Sequence, residues 1–182
     1  MKPLRAVVTG SECTGKTTLA QALADRFGAP WIPEYCRGYL DAKGAPLGPE
    51  DVEPIAREQI AEADAAEARA TDLVVLDTDL VSTVIYARHY YGSCPAWVEE
   101  ESRRRRAGLY LLCAPDLPWE PDGQRDRGDL RGAMHRLFAE ELERAGADVR
   151  PVAGLGATRL EAAVEAVRAA LRRGLPWGRP AG

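Results

Sequence analysis

The residues best suited to phosphate chemistry lie near the amino terminus. Residues 10–17 match the P-loop pattern Gly-x-x-x-x-Gly-Lys-[Ser/Thr]. The glycines let the backbone curl so that several N–H groups point at one phosphate, and Lys16 adds a mobile positive charge. An apolar strand before the motif and an amphipathic helix after it disfavour the alternative, a glycine-rich turn with a surface lysine. We expect ATP contacts from Gly10, Ser11, Glu12, Cys13, Thr14, Gly15, Lys16, Thr17 and Thr18.

A pair of carboxylates follows an apolar run in the middle of the chain. Asp77-Thr78-Asp79 ends the predicted strand Leu73–Leu76. P-loop proteins use a carboxylate on a neighbouring strand to hold Mg²⁺, so we predict Asp77 and the Thr17 hydroxyl as metal ligands. On an extended chain Asp79 projects to the same side and is predicted to bind the substrate hydroxyl and assist catalysis. Alternatively, Asp79 caps the helix that follows.

A second charged pair, Glu34 and Arg37, follows the second predicted strand. In a two-substrate phosphotransferase this position faces the acceptor, across from the P-loop. A carboxylate there can orient the attacking hydroxyl and take its proton, so Glu34 is predicted to be catalytic and both residues to bind the acceptor. The alternative is a surface ion pair of little energetic value.

The polar segment Pro115–Gly128 has the length and composition of a lid. Arg125 and Arg127 are spaced to reach phosphates when such a lid closes; we predict a catalytic role for Arg125 and an ATP contact for Arg127. Trp119 either packs the lid down or stacks on a flat substrate ring. Asp122 is expected to pair with a cation, either an arginine or a positively charged substrate.

Strands and helices alternate along the whole chain, and this order predicts the scaffold. Uninterrupted apolar strands separated by helices indicate a parallel sheet that is covered on both faces. We therefore expect an α/β P-loop NTPase fold with five parallel strands and a short lid at about 115–128, in one domain spanning 1–174. Residues 175–182 are expected to fray. The predicted strands are Leu4–Thr9, Pro30–Tyr35, Leu73–Leu76, Leu109–Ala114 and Val149–Ala153. The predicted helices are Gly15–Phe27, Pro49–Ala70, Leu80–Tyr91, Pro95–Ala107, Asp129–Ala145 and Ala157–Arg173.

Composition argues against a nucleic-acid partner and against a membrane-spanning segment. The 182 residues are 46% apolar, and their net charge of −4 disfavours a nucleic-acid partner, which usually needs a basic excess. The apolar runs fall far short of the ~20 residues that a membrane-spanning helix requires. Without a recognisable export signal, the four cysteines are expected to be free thiols and the location to be cytoplasmic.

The motifs together resemble the kinase domain of NadR-type nicotinamide riboside kinases, within the P-loop nucleoside and nucleotide kinases. The resemblance runs from about Val7 to Leu171, and a description as an AAA-type ATPase is compatible with it. Its marks are Gly10–Thr17; Glu34-Tyr35-Cys36-Arg37; Ile55-Ala56 with Gln59; Asp77-Thr78-Asp79 with Thr83; and Asp116-x-Pro118-Trp119-x-x-Asp122-Gly123-x-Arg125. Cys36 stands where a Gly is expected.

The resemblance implies transfer of the ATP γ-phosphate to the ribose 5′-hydroxyl of nicotinamide riboside, with Mg²⁺ as cofactor. Glu34 and Asp79 would then serve the acceptor ribose, and Trp119 with Asp122 the nicotinamide end, where an aromatic face and a carboxylate suit a cationic ring. Some larger members also carry an adenylyltransferase domain or a helix-turn-helix. No His-x-Gly-His motif is present, so we expect a stand-alone kinase.

Two other functions stay open beside this one. A kinase for another nucleoside would keep the same fold and mechanism. A regulatory nucleotide switch or ATPase would need neither Glu34 nor a lid that carries arginines, and the sequence has no Asn-Lys-x-Asp guanine motif. A nucleic-acid end kinase would need a basic channel, against which the net charge argues.

Overall fold

A parallel sheet forms the centre of the molecule. The computed structural model describes residues 2–117 and 130–174. Within them, five strands pair in the order β2-β3-β1-β4-β5, and all pairings are parallel. The strands are β1 (Leu4–Thr9), β2 (Trp31–Ile32), β3 (Leu73–Asp77), β4 (Leu109–Cys113) and β5 (Val149–Val152). Every residue of β1, β3 and β4 is buried, which explains why these segments are apolar without alternation. The predicted five-stranded parallel sheet is confirmed.

Helices cover both faces of this sheet, as predicted. The helices of the described residues are α1 (Lys16–Phe27), α2 (Tyr35–Lys43), α3 (Val52–Arg69), α4 (Leu80–Tyr91), α5 (Ala96–Arg104), α6 (Arg131–Arg144) and α7 (Gly156–Arg173). A short 3₁₀ turn, Pro49–Asp51, precedes α3. None of the helices described here is long and apolar enough to cross a membrane.

Successive side chains of β1 point to opposite faces of the sheet, and each face has its own hydrophobic core. Ala6 and Val8 point to the face that α1 and α7 cover, where Leu23 of α1 is fully buried. Val7 points to the opposite face, where residues of α3, α4 and α6 pack, including the fully buried Phe138. The carboxyl ends of β1 and β3 meet between these two layers, since Val8 pairs with Asp77.

The region after α1 differs from the prediction. The predicted strand Pro30–Tyr35 shrinks to two residues, because Pro33 has no N–H with which to continue a ladder. Helix α2, which no pattern predicted, begins at Tyr35. It contains no buried residue and therefore lacks the apolar periodicity that reveals a helix in a sequence.

The remaining differences concern the residues at which the strands and helices begin and end. The other predicted strands and helices are present, with boundaries shifted by a few residues. None of the four cysteines forms a disulfide. Most of the predicted lid and the predicted tail, residues 175–182, lie outside the described residues.

Replacement of Phe138 by Ala tests the core between the sheet and α6. The ring is fully buried, so its loss is expected to lower the free energy of unfolding by ~3–5 kcal/mol, measured by urea denaturation. Leu137→Ala on the same helix is the matched control, because this side chain is 39% exposed. An equal loss in both variants would contradict this orientation of α6.

Candidate active site

The P-loop leaves β1 in a conformation that depends on glycine. Gly10 has a φ of 133°, and a Cβ there would lie 2.9 Å from the carbonyl oxygen of Cys113 on β4. Gly15, the residue before α1, has a left-handed φ of 71°. Cys13 in the same loop has a positive φ of 52°, a backbone conformation that residues other than glycine rarely adopt. The backbone is thus bent into a cradle directly at the amino-terminal end of α1.

Two side chains brace the cradle from within. The Thr14 hydroxyl donates to the carbonyl oxygen of Ser11 at 2.8 Å, and the Lys16 amine donates to the same oxygen at 2.9 Å. Lys16 therefore folds back over the loop, with its charge beside the bent backbone. Such a placement suits a lysine that contacts the β- and γ-phosphates of a nucleotide.

Thr17 and Asp77, the two predicted metal ligands, contact each other next to the cradle, and their binding of a metal stays a prediction. The Thr17 hydroxyl donates to Asp77 Oδ2 at 2.6 Å, while Asp77 Oδ1 is buried with no hydrogen-bond partner among the described residues. Burial, and then the negative charge of Glu34, raise the pKa of Asp77 to about 6. The hydroxyl and carboxylate oxygens are hard ligands, and the unpartnered Oδ1 leaves the carboxylate able to bind a cation, so the pair fits Mg²⁺.

The prediction that Asp77 and Asp79 share one side of an extended chain is wrong. Thr78 between them has a left-handed φ of 67°, which turns the chain. Asp77 meets α1, whereas Asp79 bonds to Tyr110, a residue of the core on the opposite face of the sheet. A pleated strand would have kept the two carboxylates together.

Asp79 has the structural role that was the alternative interpretation. Its Oδ1 accepts the backbone N–H of Val81 and caps α4, and its Oδ2 accepts the Tyr110 hydroxyl at 2.7 Å. Burial raises the pKa of this carboxyl. The catalytic and substrate-binding roles of Asp79 stay predictions, and both of its oxygens are held by protein donors.

Glu34 and Arg37 lie at the start of α2, which follows β2, and β3 separates β2 from the strand that leads into the P-loop. Glu34 precedes the helix without capping it through its side chain, so its carboxylate is not used for the backbone. Arg37 Nε lies 3.9 Å from Glu34 Oε2, and both charges influence Asp77. Cys36 sits in the first helical turn and is absent from the positive-φ positions, so it needs no glycine-like backbone.

Two other residues of the family pattern contact each other. The Thr83 hydroxyl of α4 donates to Gln59 Oε1 of α3 at 3.0 Å. This bond ties α3 to α4, the helix that Asp79 caps. Gln59 is buried, so its role in the described structure is to hold α3 against α4.

Sequence reasoning missed two residues near the P-loop. The half-buried Tyr86 lies on α4, and burial together with the charges of Glu12 and Glu34 raises the pKa of its hydroxyl. Its ring stacks on Tyr90 with centroids 6.0 Å apart. Arg159 of α7 is buried and bonds to the P-loop backbone. Both residues looked like ordinary helix positions, so no motif could have singled them out.

Four predicted site residues, Trp119, Asp122, Arg125 and Arg127, lie outside the described residues. The segment that leads to them is described up to Leu117, whose side chain lies against Gly15: a Cβ on Gly15 would come within 2.8 Å of it. Arg131 of α6 donates to the carbonyl oxygen of Leu117 at 2.8 Å. The base of the predicted lid is thus held beside the P-loop.

Comparison with known proteins agrees with this geometry. A family model described as an AAA domain matches residues 5–159. The trifunctional NAD biosynthesis/regulator protein NadR of Salmonella typhimurium and that of Escherichia coli are each 30% identical over 142 residues. The match covers 75% of this chain and 35% of each relative, so the chain spans about a third of their length.

Solved structures extend the likeness to the whole fold. A NadR protein in complex with NR superposes with a TM-score of 0.75 at 26% identity, over 99% of this chain and 54% of the other. A NadR protein with NAD and AMP-PNP gives a TM-score of 0.76 at 25% identity, over 97% and 51%. Thymidylate kinase from Ehrlichia chaffeensis shares the fold, with a TM-score of 0.66 at 10% identity over 93% and 99%. The predicted resemblance to NadR-type kinase domains is confirmed.

The pKa of Asp77 makes stability depend on pH. The pKa of about 6 in the folded protein lies above the ordinary 3.8, so the folded protein holds the Asp77 proton up to a higher pH than the unfolded chain does. In the metal-free state, stability is therefore lost as pH rises from about 4 through about 6. Asp77→Asn is expected to gain stability relative to the unaltered chain over that window, reaching roughly 3 kcal/mol at pH 7.

Urea unfolding at a series of pH values measures this gain. Asp72→Asn is the control, because Asp72 is exposed just before the same strand. A gain for Asp77→Asn that is the same at pH 4 and pH 7 would contradict the raised pKa.

Proposed function

The chain belongs to the family of AAA domains, and on that premise we propose that it transfers the γ-phosphoryl group of ATP to nicotinamide riboside, giving nicotinamide mononucleotide. The observation that carries the proposal is the pairing of two half-sites at one edge of the sheet: a P-loop with Lys16 after β1, and the carboxylate of Glu34 after β2, on the other side of β3. The charge of Glu34 also contributes to the raised pKa of Asp77 at the end of β3. A protein that only senses a nucleotide has no need of a second carboxylate there, whereas an acceptor hydroxyl has to be oriented and deprotonated. The similarity to a NadR protein in complex with NR supports the choice of acceptor.

The P-loop holds the donor in this mechanism. Backbone N–H groups of the cradle and the positive end of α1 bind the phosphates. Lys16 leaves the carbonyl oxygen of Ser11 and moves to the β- and γ-phosphates, where it offsets the charge that develops on the transferring group. The lysine needs only a rotamer change, because its partner in the described structure belongs to the same loop.

The Thr17 hydroxyl and the Asp77 carboxylate would hold Mg²⁺ beside the cradle. When bound, the ion would neutralise negative charge on the β- and γ-phosphate oxygens. Asp77 serves this purpose in its ionised form, and a neighbouring cation would favour that form over the protonated one. The acidic character of the site is therefore part of its proposed function.

Glu34 prepares the acceptor. Its carboxylate accepts a hydrogen bond from the ribose 5′-hydroxyl, orients the oxygen toward the γ-phosphorus and takes the proton as the new P–O bond forms. The bond between the γ-phosphorus and the β–γ bridging oxygen breaks in the same step, and ADP leaves. Arg37 stays near both the carboxylate and the incoming phosphate charge. We propose that Arg125 and Arg127 close over the phosphates to exclude water, and that Trp119 and Asp122 contact the nicotinamide end.

The first test measures ADP release by the purified protein with Mg²⁺-ATP, alone and with added acceptors. We expect a large stimulation by nicotinamide riboside and none by cytidine, uridine or deoxynucleosides. Stimulation by another nucleoside would keep the kinase and overturn the acceptor. Slow ADP release that no acceptor changes would favour a nucleotide switch or ATPase.

Lys16→Ala is expected to remove nearly all turnover, since positioning and charge stabilisation supply most of the catalysis in phosphoryl transfer. Folding should persist, because the amine contacts only its own loop in the described structure. Circular dichroism and the acceptor-stimulated rate are measured together. Lys2→Ala, at an exposed position, is the control; unchanged turnover in Lys16→Ala would contradict the assignment of the P-loop.

A further inference from the structure

Among the described residues near the P-loop that the proposed mechanism does not use, Arg159 makes the most side-chain hydrogen bonds. It is 4% exposed, and its Nη1 donates to Asp116 Oδ1 at 2.7 Å and to the carbonyl oxygen of Gly154 at 2.8 Å. Its Nη2 donates to the carbonyl oxygens of Thr14 at 2.8 Å and Ala114 at 3.2 Å. One guanidinium thus joins the P-loop, the end of β4 and the loop after β5.

The contact with Thr14 bears on phosphate binding. In a trans peptide the C=O and the following N–H point in opposite directions. When Arg159 draws the Thr14 carbonyl toward α7, the N–H of Gly15 is turned away from α7. Gly15 directly precedes α1, and because glycine has no β-carbon it adopts the left-handed φ of 71° that this orientation requires without steric strain.

Arginine suits this task better than lysine. Its planar fork can meet several acceptors at once in a fixed geometry, whereas a lysine ammonium acts as a compact point charge. Asp116 supplies the opposite charge that a buried guanidinium requires, and it also accepts the N–H of Gly154 at 2.7 Å. The cluster is therefore held from three segments of the chain.

We propose that Arg159 is a positioning residue for nucleotide binding: through the Thr14 carbonyl it holds the Gly15 N–H toward the phosphates, and Asp116 anchors it in that position. The proposal rests on the nucleotide half of the proposed function and does not depend on the acceptor. Arg159 touches no phosphate itself; it acts through the peptide between Thr14 and Gly15.

The test compares Arg159→Lys with Arg168→Lys, an exposed ion-paired position on the same helix. The measured quantity is the dissociation constant of Mg²⁺-AMP-PNP, determined by calorimetry on protein shown to be folded. We expect about a tenfold or greater loss of affinity for Arg159→Lys, the usual scale for losing a charged hydrogen bond. Arg168→Lys should bind like the unaltered chain.

A purely structural role would give a different pattern. Arg159→Lys would then lower the melting temperature but leave the affinity of the folded protein unchanged, and that result overturns the proposal. Where an acceptor is phosphorylated, the KM for ATP should rise and the KM for the acceptor should not. A rise in both KM values would mean that the substitution disturbs the whole cleft, and this result would also contradict the proposal.

Asp116→Asn provides a second, milder variant in case Arg159→Lys does not fold. It removes the negative charge of the anchor but keeps an oxygen that can accept from the guanidinium, so we expect a several-fold weaker binding of Mg²⁺-AMP-PNP. Unchanged affinity overturns the role of Asp116. If the unaltered chain binds the analogue but phosphorylates none of the acceptors, the proposed function fails and the inference about Arg159 is still decided. If it does not bind the analogue, both fail.

Discussion

The close approach of the P-loop to β4 is the constraint on which the rest of the site depends. At Gly10 the backbone comes so near the Cys113 carbonyl that no side chain fits. This contact lets the chain turn sharply at the end of β1 and enter α1 with its N–H groups facing one hollow. The neighbouring strand β3 then brings Asp77 against Thr17, because Asp77 pairs in register with Val8 of β1.

The electrostatics of the cleft follow from that arrangement. Burial raises the pKa of Asp77, and Glu34 adds to the effect, so the metal-free protein carries an unfavourable concentration of carboxylates. Such an arrangement costs stability in the absence of a cation, and the Mg²⁺ of the proposed function would offset that cost. On the opposite face, Asp79 has its charge satisfied by Tyr110 and by the start of α4, and it serves the scaffold.

Much of the fold and part of the site could be read from the residues in order. The apolar strands, the P-loop and Asp77 carry patterns that few other structures produce, since a buried parallel strand and a phosphate cradle each demand particular residue types. Helix α2 could not be predicted, because it buries no residue and so has no periodic signal. Asp79 was ambiguous for a similar reason: an Asp after a strand suits both a ligand and a helix cap.

The sequence by itself determined the local chemistry: which loop can bind phosphate, which strands are buried, and which carboxylate follows β3. Only the tertiary structure decided which side chains meet. The left-handed Thr78 sends Asp79 to the far face. The packing of α7 brings Arg159, at the other end of the chain, onto the Thr14 carbonyl. Contacts between residues 145 positions apart depend on how the elements pack in three dimensions, and no local pattern of residue types encodes them.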